Sequence, residues 1–146
     1  MDFVVRQLEE KDFVTGSGFV ETMANMSDIS ILDIDKLKDI WLAAKKQNIY
    51  FFVAEMEGQI VSTVKLLIEP KFFHGGKAAA HIEDVVTRSG YEGRGLSKAL
   101  LLEAIRTAEK ENCYKVILDC KKELVPFYEK SGFKEHDICM RLDFKK

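Results

Sequence analysis

The alternation of apolar and polar positions along this chain changes period several times, and each change marks an element. "FVVRQL" at residues 3–8 is a short β-rich run. The stretch after it could be helical to about Met26, although Gly16 and Gly18 weaken a helix there. "DIDKLKDIWLAAKKQ" is a stronger helix: Leu37, Ile40, Trp41 and Ala44 share one face, with acids early and lysines late. "YFFVAEM", the turn "EG" and "QIVSTVKLLIEPK" predict an antiparallel hairpin, and "AAAHIEDVVTR" a further strand. From Ser97 to about Asn112 a helix presents Leu100, Leu101, Ala104, Ile105 and Ala108 on one face. "YKVILDC" is a compact apolar strand, "ELVPFYEKSG" a short helix closed by Gly132, and "FKEHDICMRLDF" alternates as a last strand. The order β-α-α-β-β-β-α-β-α-β predicts an α/β domain of the α+β type. Its sheet is mixed but mostly antiparallel, with one strand-helix-strand crossover near the end.

Composition narrows the class. At 146 residues the chain fits a single domain, 1–146, and 47% hydrophobic with 32% charged residues describes a soluble globular protein. The net charge of -2, with acids and bases interleaved, offers no footprint for nucleic acid. No apolar run approaches a membrane span, and "MDFVVRQLEE" lacks the basic start and apolar core of a signal peptide. Cys113, Cys120 and Cys139 are odd in number and lack CxxC spacing. They predict neither a zinc site nor a disulfide framework, and a cytoplasmic location follows. A nucleophilic role for one of them stays open beside that of a buried structural thiol.

The candidate chemistry centres on "GYEGRGLSKALL", Gly90 to Leu101. Glycines just before a helix let main-chain N–H groups turn outward, and the helix N-terminus adds the positive end of its dipole, which together favour a phosphate. A P-loop needs Lys-Ser/Thr after its last glycine, but Leu96 follows Gly95. A dinucleotide turn needs a third glycine where Lys98 stands. Although Asp119 could imitate the ribose-binding acid, the crossover comes too late in the chain. A third reading is a pyrophosphate loop for coenzyme A, and an ordinary strand-to-helix turn stays open beside it.

On these residues the chain resembles the GNAT acetyltransferase superfamily, whose loop reads roughly Arg/Gln-x-x-Gly-x-Gly/Ala before a strand and a segment like "PFYEKSGF". "HIEDVV", "YKVILDC" and "IEPKFFHGG" narrow the resemblance to the glucosamine 6-phosphate N-acetyltransferases, over about Val4 to Met140. The resemblance implies the GNAT fold, splayed central strands that bind acetyl-CoA as cosubstrate, no metal, and a homodimer completed by the last strand and the neighbouring chain. It implies acetyl transfer to the amine of glucosamine 6-phosphate, giving the N-acetylated sugar phosphate for UDP-N-acetylglucosamine synthesis.

Residue by residue, the resemblance puts Val85, Val86 and Thr87 along the acetyl-CoA arm. Gly93, Arg94, Gly95, Leu96, Ser97 and Lys98 fall at the pyrophosphate. Tyr128 is implied as the proton donor to the departing thiolate, while Glu83, Asp84 and Val85 border the substrate. A main-chain N–H near Val85 would donate to the oxyanion, and a water near Glu83 could take the amine proton. Lys71, Phe72, Phe73 and His74 match the substrate segment before the active strand. Tyr114 and Lys115 match positions approaching the sugar from the other side, and Asp119 an acidic site residue. His81 and His136 are left as ordinary loop histidines. The sequence departs from the pattern in four places. Gly90 stands at the loop's first position unless Val86–Arg88 supplies that cation, Ser97 replaces the last loop glycine, and Leu124 replaces an asparagine. Arg141 lies two positions before the usual C-terminal cation, where Asp143 is in register. The rival readings are a GNAT enzyme for another amine (a polyamine, an aminoglycoside or a protein amine) and a non-catalytic CoA-binding regulator, against which the intact Tyr128 argues.

Overall fold

The computed structural model describes residues 2–27, 29 and 33–145. Its frame is a five-stranded sheet in chain order, β1 (Val4–Gln7), β2 (Ile49–Met56), β3 (Gln59–Glu69), β4 (Ala78–Thr87) and β5 (Cys113–Leu118). The first three pairings are antiparallel and the last is parallel, as the single crossover requires. That crossover is α3 (Leu96–Lys110), which buries Leu100, Leu101, Ala104 and Ala108 against Phe52, Val64, Leu66, Ala80 and Ile82 on one face of the sheet. On the opposite face, α1 (Phe19–Ala24) and α2 (Ile34–Lys45) join Leu8, Phe13, Phe19 and Trp41 to Val53 and Ile60.

The second layer covers only part of its face. β3 is buried on both sides from Ile60 to Val64, then alternates as Lys65, Leu67 and Glu69 come half into solvent. Leu67 pairs with His81 and His81 with Ile117, so these residues form a row across the uncovered end.

The first helix is shorter than the sequence suggests. Gly16 and Gly18 both have φ near +91°, so the chain turns there, after a 3₁₀ turn at Glu10–Asp12, and helix begins only at Phe19. Arg6 ties this region to the sheet with two 2.8 Å bonds to Asp12 and one of 2.9 Å to Glu55. The short helix α4 (Val125–Glu129) does end before Gly132, which takes a left-handed φ of 96°.

The expected last strand does not form within the chain. None of residues 133–145 belongs to a strand, and Ile138, Met140, Leu142 and Phe144 are each at least 79% exposed. The alternation is real: these four fall on one side, with Cys139, Arg141 and Asp143 between them. A strand also needs a ladder and a surface to cover its apolar side. This segment has no ladder among the described residues, and its side chains make mainly local contacts: Cys139 Sγ donates to Asp119 at 3.3 Å, His136 Nδ1 is 3.0 Å from Asp137, and Arg141 Nε donates to Asp143 at 2.8 Å.

Gly18 is the point of closest approach between α1 and the sheet. A Cβ there would lie 2.5 Å from the Ile60 carbonyl oxygen, whereas one at Gly16, with the same φ, would meet nothing within 4 Å. Gly18→Ala should therefore destabilise the fold by about 1–3 kcal/mol more than Gly16→Ala, since both share the backbone penalty but only one adds overpacking. Urea unfolding midpoints of the two variants measure the difference; equal midpoints would refute the close-packing account.

Candidate active site

β4 and β5 are paired only as far as Ile82 and Leu118, while β4 continues to Thr87. Between these points β4 carries one residue too many. Thr63 faces Val86 and Lys65 faces Glu83, so Asp84 and Val85 together oppose Val64. Asp84 takes up the excess with a φ of 53°, an uncommon conformation for a residue with a side chain. Past the last β4·β5 pair, a cleft of about 540 Å³ opens beside the end of β4.

Several elements line that cleft. β4 supplies Val85, Val86 and Thr87; the following loop and first turn of α3 supply Gly93, Gly95, Leu96, Ser97 and Lys98; α4 and the residue capping it supply Phe127, Tyr128 and Leu124. Gly95 caps α3 in a left-handed conformation at φ 81°, and a Cβ on Gly93 or Gly95 would meet no protein atom within 4 Å. The first-turn N–H groups of α3 lack intrahelical partners by construction, and they end at this wall of the cleft. Arg94 is directed elsewhere: its guanidinium lies 4.9 Å over the Tyr91 ring, and Nη2 donates to the Gly90 carbonyl at 3.4 Å. It braces the loop, while Lys98 is the loop cation lining the cleft.

Tyr128 is 7% exposed, and burial first, then the nearby Cys120 thiol, raises its phenol above the ordinary range. It is a protonated donor at neutral pH. On the uncovered side of β4 stand the acids. The Glu83 carboxyl is held above its usual range by burial first, and then by the charges of Asp84 and Asp119. The bulge accounts for the crowding, because it breaks the alternation that would send Glu83 and Asp84 to opposite faces.

The remaining sequence-expected residues gather at the far end of the same strand pair. Lys71 Nζ is 3.1 Å from Glu69, His74 stacks on Tyr114 with ring centroids 3.9 Å apart, and Lys115 Nζ sits 5.4 Å over that ring. Phe72 and Phe73 are exposed beside them. Tyr114 and Asp119 are separated along β5 by ~17 Å, at ~3.3 Å per residue. The cationic group thus lies at the opposite end of β5 from Asp119. Arg141 belongs to neither group and pairs with Asp143.

Some of the site was not foreseen. Asn25 and Met26, just past α1, line the cleft, and Asn25 Nδ2 donates to the Thr87 carbonyl at 2.8 Å. No local pattern marks them, since only the docking of α1 brings them there. His81 is not a loop histidine: it lies on β4 and bonds Glu69 at 2.8 Å. Its place in the period-two alternation was the available signal. Among the described residues no group of three or more His, Cys, Asp or Glu side chains is placed to hold a metal ion, and no helix is long and apolar enough to cross a membrane.

Residues 10–133 match the Acetyltransferase (GNAT) family. The chain is 39% identical over 145 residues to a glucosamine 6-phosphate N-acetyltransferase of Trypanosoma brucei brucei, covering 98% of this chain and 97% of that one. Among solved structures it is similar to a Trypanosoma brucei acetyltransferase, with a TM-score of 0.91, 39% identity, and coverage of 98% of this chain and 100% of that one. It is also similar to the glucosamine-6-phosphate N-acetyltransferase of Arabidopsis thaliana, with a TM-score of 0.92, 31% identity, and coverage of 99% and 100%.

The raised Glu83 carboxyl has a consequence for stability. The folded chain favours neutral Glu83, so the penalty is absent below the ordinary glutamate range and develops as pH rises towards the folded value. Glu83→Gln should therefore be more stable than the wild type at neutral pH, with the difference shrinking in acid. Urea unfolding of both proteins across that range checks it, and a wild type of equal or greater stability at neutral pH contradicts it.

Proposed function

The chain belongs to the GNAT acetyltransferase family, and on that premise we propose that it transfers the acetyl group of acetyl-CoA to the amine of glucosamine 6-phosphate. The products are N-acetylglucosamine 6-phosphate and CoA, the former a precursor for UDP-N-acetylglucosamine synthesis in the cytoplasm. The observation that carries this reading is the cleft opened by the β4 bulge, with an anion-favouring helix start at one end and a buried, protonated tyrosine at the other. The names of the curated relatives support the choice of amine.

In this reading the main chain from Gly93 to Lys98 holds the pyrophosphate, and the pantetheine arm runs along Val85–Thr87. The neutral amine attacks the thioester carbonyl carbon, and the Val85 N–H, at the bulge where main-chain groups leave the ladder, stabilises the oxyanion. The C–S bond then breaks, and Tyr128 protonates the thiolate. Glu83, Asp84 and Asp119 hold the ammonium form, which gives one proton to solvent to become the attacking amine, and a water beside Glu83 takes the second proton released on attack. The amine of a 2-amino sugar is only weakly basic, so no stronger base is needed.

The sugar phosphate then falls to Lys71, His74 and Lys115, which lie towards the end of β5 away from Asp119, ~17 Å along the strand and farther than a single hexose ring spans. A homodimer resolves this by bringing the cationic end of one protomer to the acid-lined end of the other. The exposed alternating tail and the uncovered row Leu67, His81 and Ile117 supply apolar surface for such a contact.

Release of the CoA thiol with glucosamine 6-phosphate, set against unphosphorylated glucosamine, tests the reading. The phosphorylated sugar should be much the better substrate by kcat/KM, because its phosphate makes several charge-assisted hydrogen bonds at once. Equal rates would move the assignment to another amine. Tyr128→Phe should lower kcat by roughly 10²–10⁴-fold while leaving acetyl-CoA binding nearly intact. If the site is shared between protomers, co-refolding Tyr128→Phe with Lys71→Ala should restore activity that neither variant shows alone, since one of the two sites in each mixed dimer is then intact. No recovery would place both residues in one protomer's site.

A further inference from the structure

Three hydroxyls close the neck of the loop that leads from β4 into α3. Ser62 Oγ on β3, which is fully buried, donates to the Val86 carbonyl at 3.0 Å. The same oxygen is 2.9 Å from Thr87 Oγ1 at the end of β4, and Thr87 Oγ1 is 2.8 Å from Ser97 Oγ in the first turn of α3. A hydroxyl has one proton and a carbonyl has none, which fixes the direction of the whole chain. Ser62 gives its proton to Val86, so Thr87 must donate to Ser62, and Ser97 must donate to Thr87. The proton of Ser97 is committed inside the protein, although the residue lines the cleft.

We infer that Ser97 is a positioning residue: its bond to Thr87 latches together the two ends of the loop spanning 88–96 and pre-forms the anion site, while the anion itself is met by backbone N–H groups. The inference rests on reading this loop as the coenzyme A pyrophosphate site. Holding the ends of a loop together before the ligand arrives removes ordering entropy from the binding step. A serine at this position thereby does through a side-chain bond what a bare glycine turn leaves to the backbone alone. Ser62 extends the latch into the core, so that β3, β4 and α3 are fixed relative to one another at the mouth of the cleft.

The test is a double-mutant cycle read in two ways. In the ligand-free protein, hydrogen exchange of the amides in 88–96 should quicken in Ser97→Ala and in Thr87→Val, and no further in the double variant; Thr87→Ser, which keeps the hydroxyl, should exchange like the wild type. The Kd for CoA should rise by about 3–10-fold in each single variant, as expected for one neutral hydrogen bond, and by the same factor in the double. Were Ser97 a direct phosphate ligand, its removal would weaken CoA binding by the same factor whether or not Thr87 carries its hydroxyl. Additive effects, or exchange unaltered by either substitution, would overturn the latch. Failure of the wild type to bind CoA would instead overturn the pyrophosphate reading, and the exchange data would still judge the latch.

Discussion

One surplus residue in β4 governs this molecule's chemistry. With Asp84 and Val85 set against Val64 alone, the ladder to β3 is interrupted, and a bulge of this kind frees main-chain groups from the ladder. The pairing of β4 with β5 stops just before it, at Ile82 and Leu118. Beyond that point β4 lines the cleft together with the start of α3 and the Leu124–Tyr128 segment. The left-handed backbone at Asp84 costs on the order of 1–3 kcal/mol. Regular pairings on both sides of the bulge, Leu66 with Ile82 and Ser62 with Thr87, hold it in place. The strain thus lies at the position where the proposed reaction uses the freed N–H.

A second constraint follows from how little of the sheet α1 and α2 cover. The apolar residues of these helices suffice for the region around Val53 and Ile60, and beyond Val64 the face is left open. The chain therefore carries an uncovered sheet end, two exposed phenylalanines and an apolar tail at once. Exposed apolar side chains in this number suit a surface that another molecule covers. The homodimer proposed from the separation of the two residue groups would cover it, so packing and site geometry favour the same assembly.

The elements that bury a face were legible in the sequence, because burial imposes a period. The stripe Leu100, Leu101, Ala104 and Ala108 marked α3, and the glycines before it marked the anion-favouring turn. The bulge was not legible: "HIEDVV" alternates no differently from a regular strand, and only its register against β3 reveals the extra residue. Asn25 and the Ser62–Thr87–Ser97 chain were hidden for the same reason, since each joins residues from separate elements. The tail shows the opposite case. Its alternation correctly marks a strand-like, two-faced segment, but a pattern says which side wants cover and not which molecule provides it.

The distribution of charge gives the shared site a further rationale under the proposed reading. The substrate has an ammonium at one end and a phosphate at the other, so the protein must offer acids and cations a short distance apart. Within one chain such groups would pair with each other first: Lys71 is already bonded to Glu69 at 3.1 Å, and His81 to the same carboxylate at 2.8 Å. Placing Glu83, Asp84 and Asp119 towards one end of β4 and β5, and His74 and Lys115 at the other, keeps the two sets from neutralising one another in the free chain. A two-fold contact then brings the opposite ends of two copies together, and because such a contact is self-complementary it builds two identical sites in one step. The sugar phosphate would bridge charges that had no means of meeting inside a protomer. Selectivity for a doubly charged ligand over a simple amine would then arise from the geometry of assembly as much as from any single side chain.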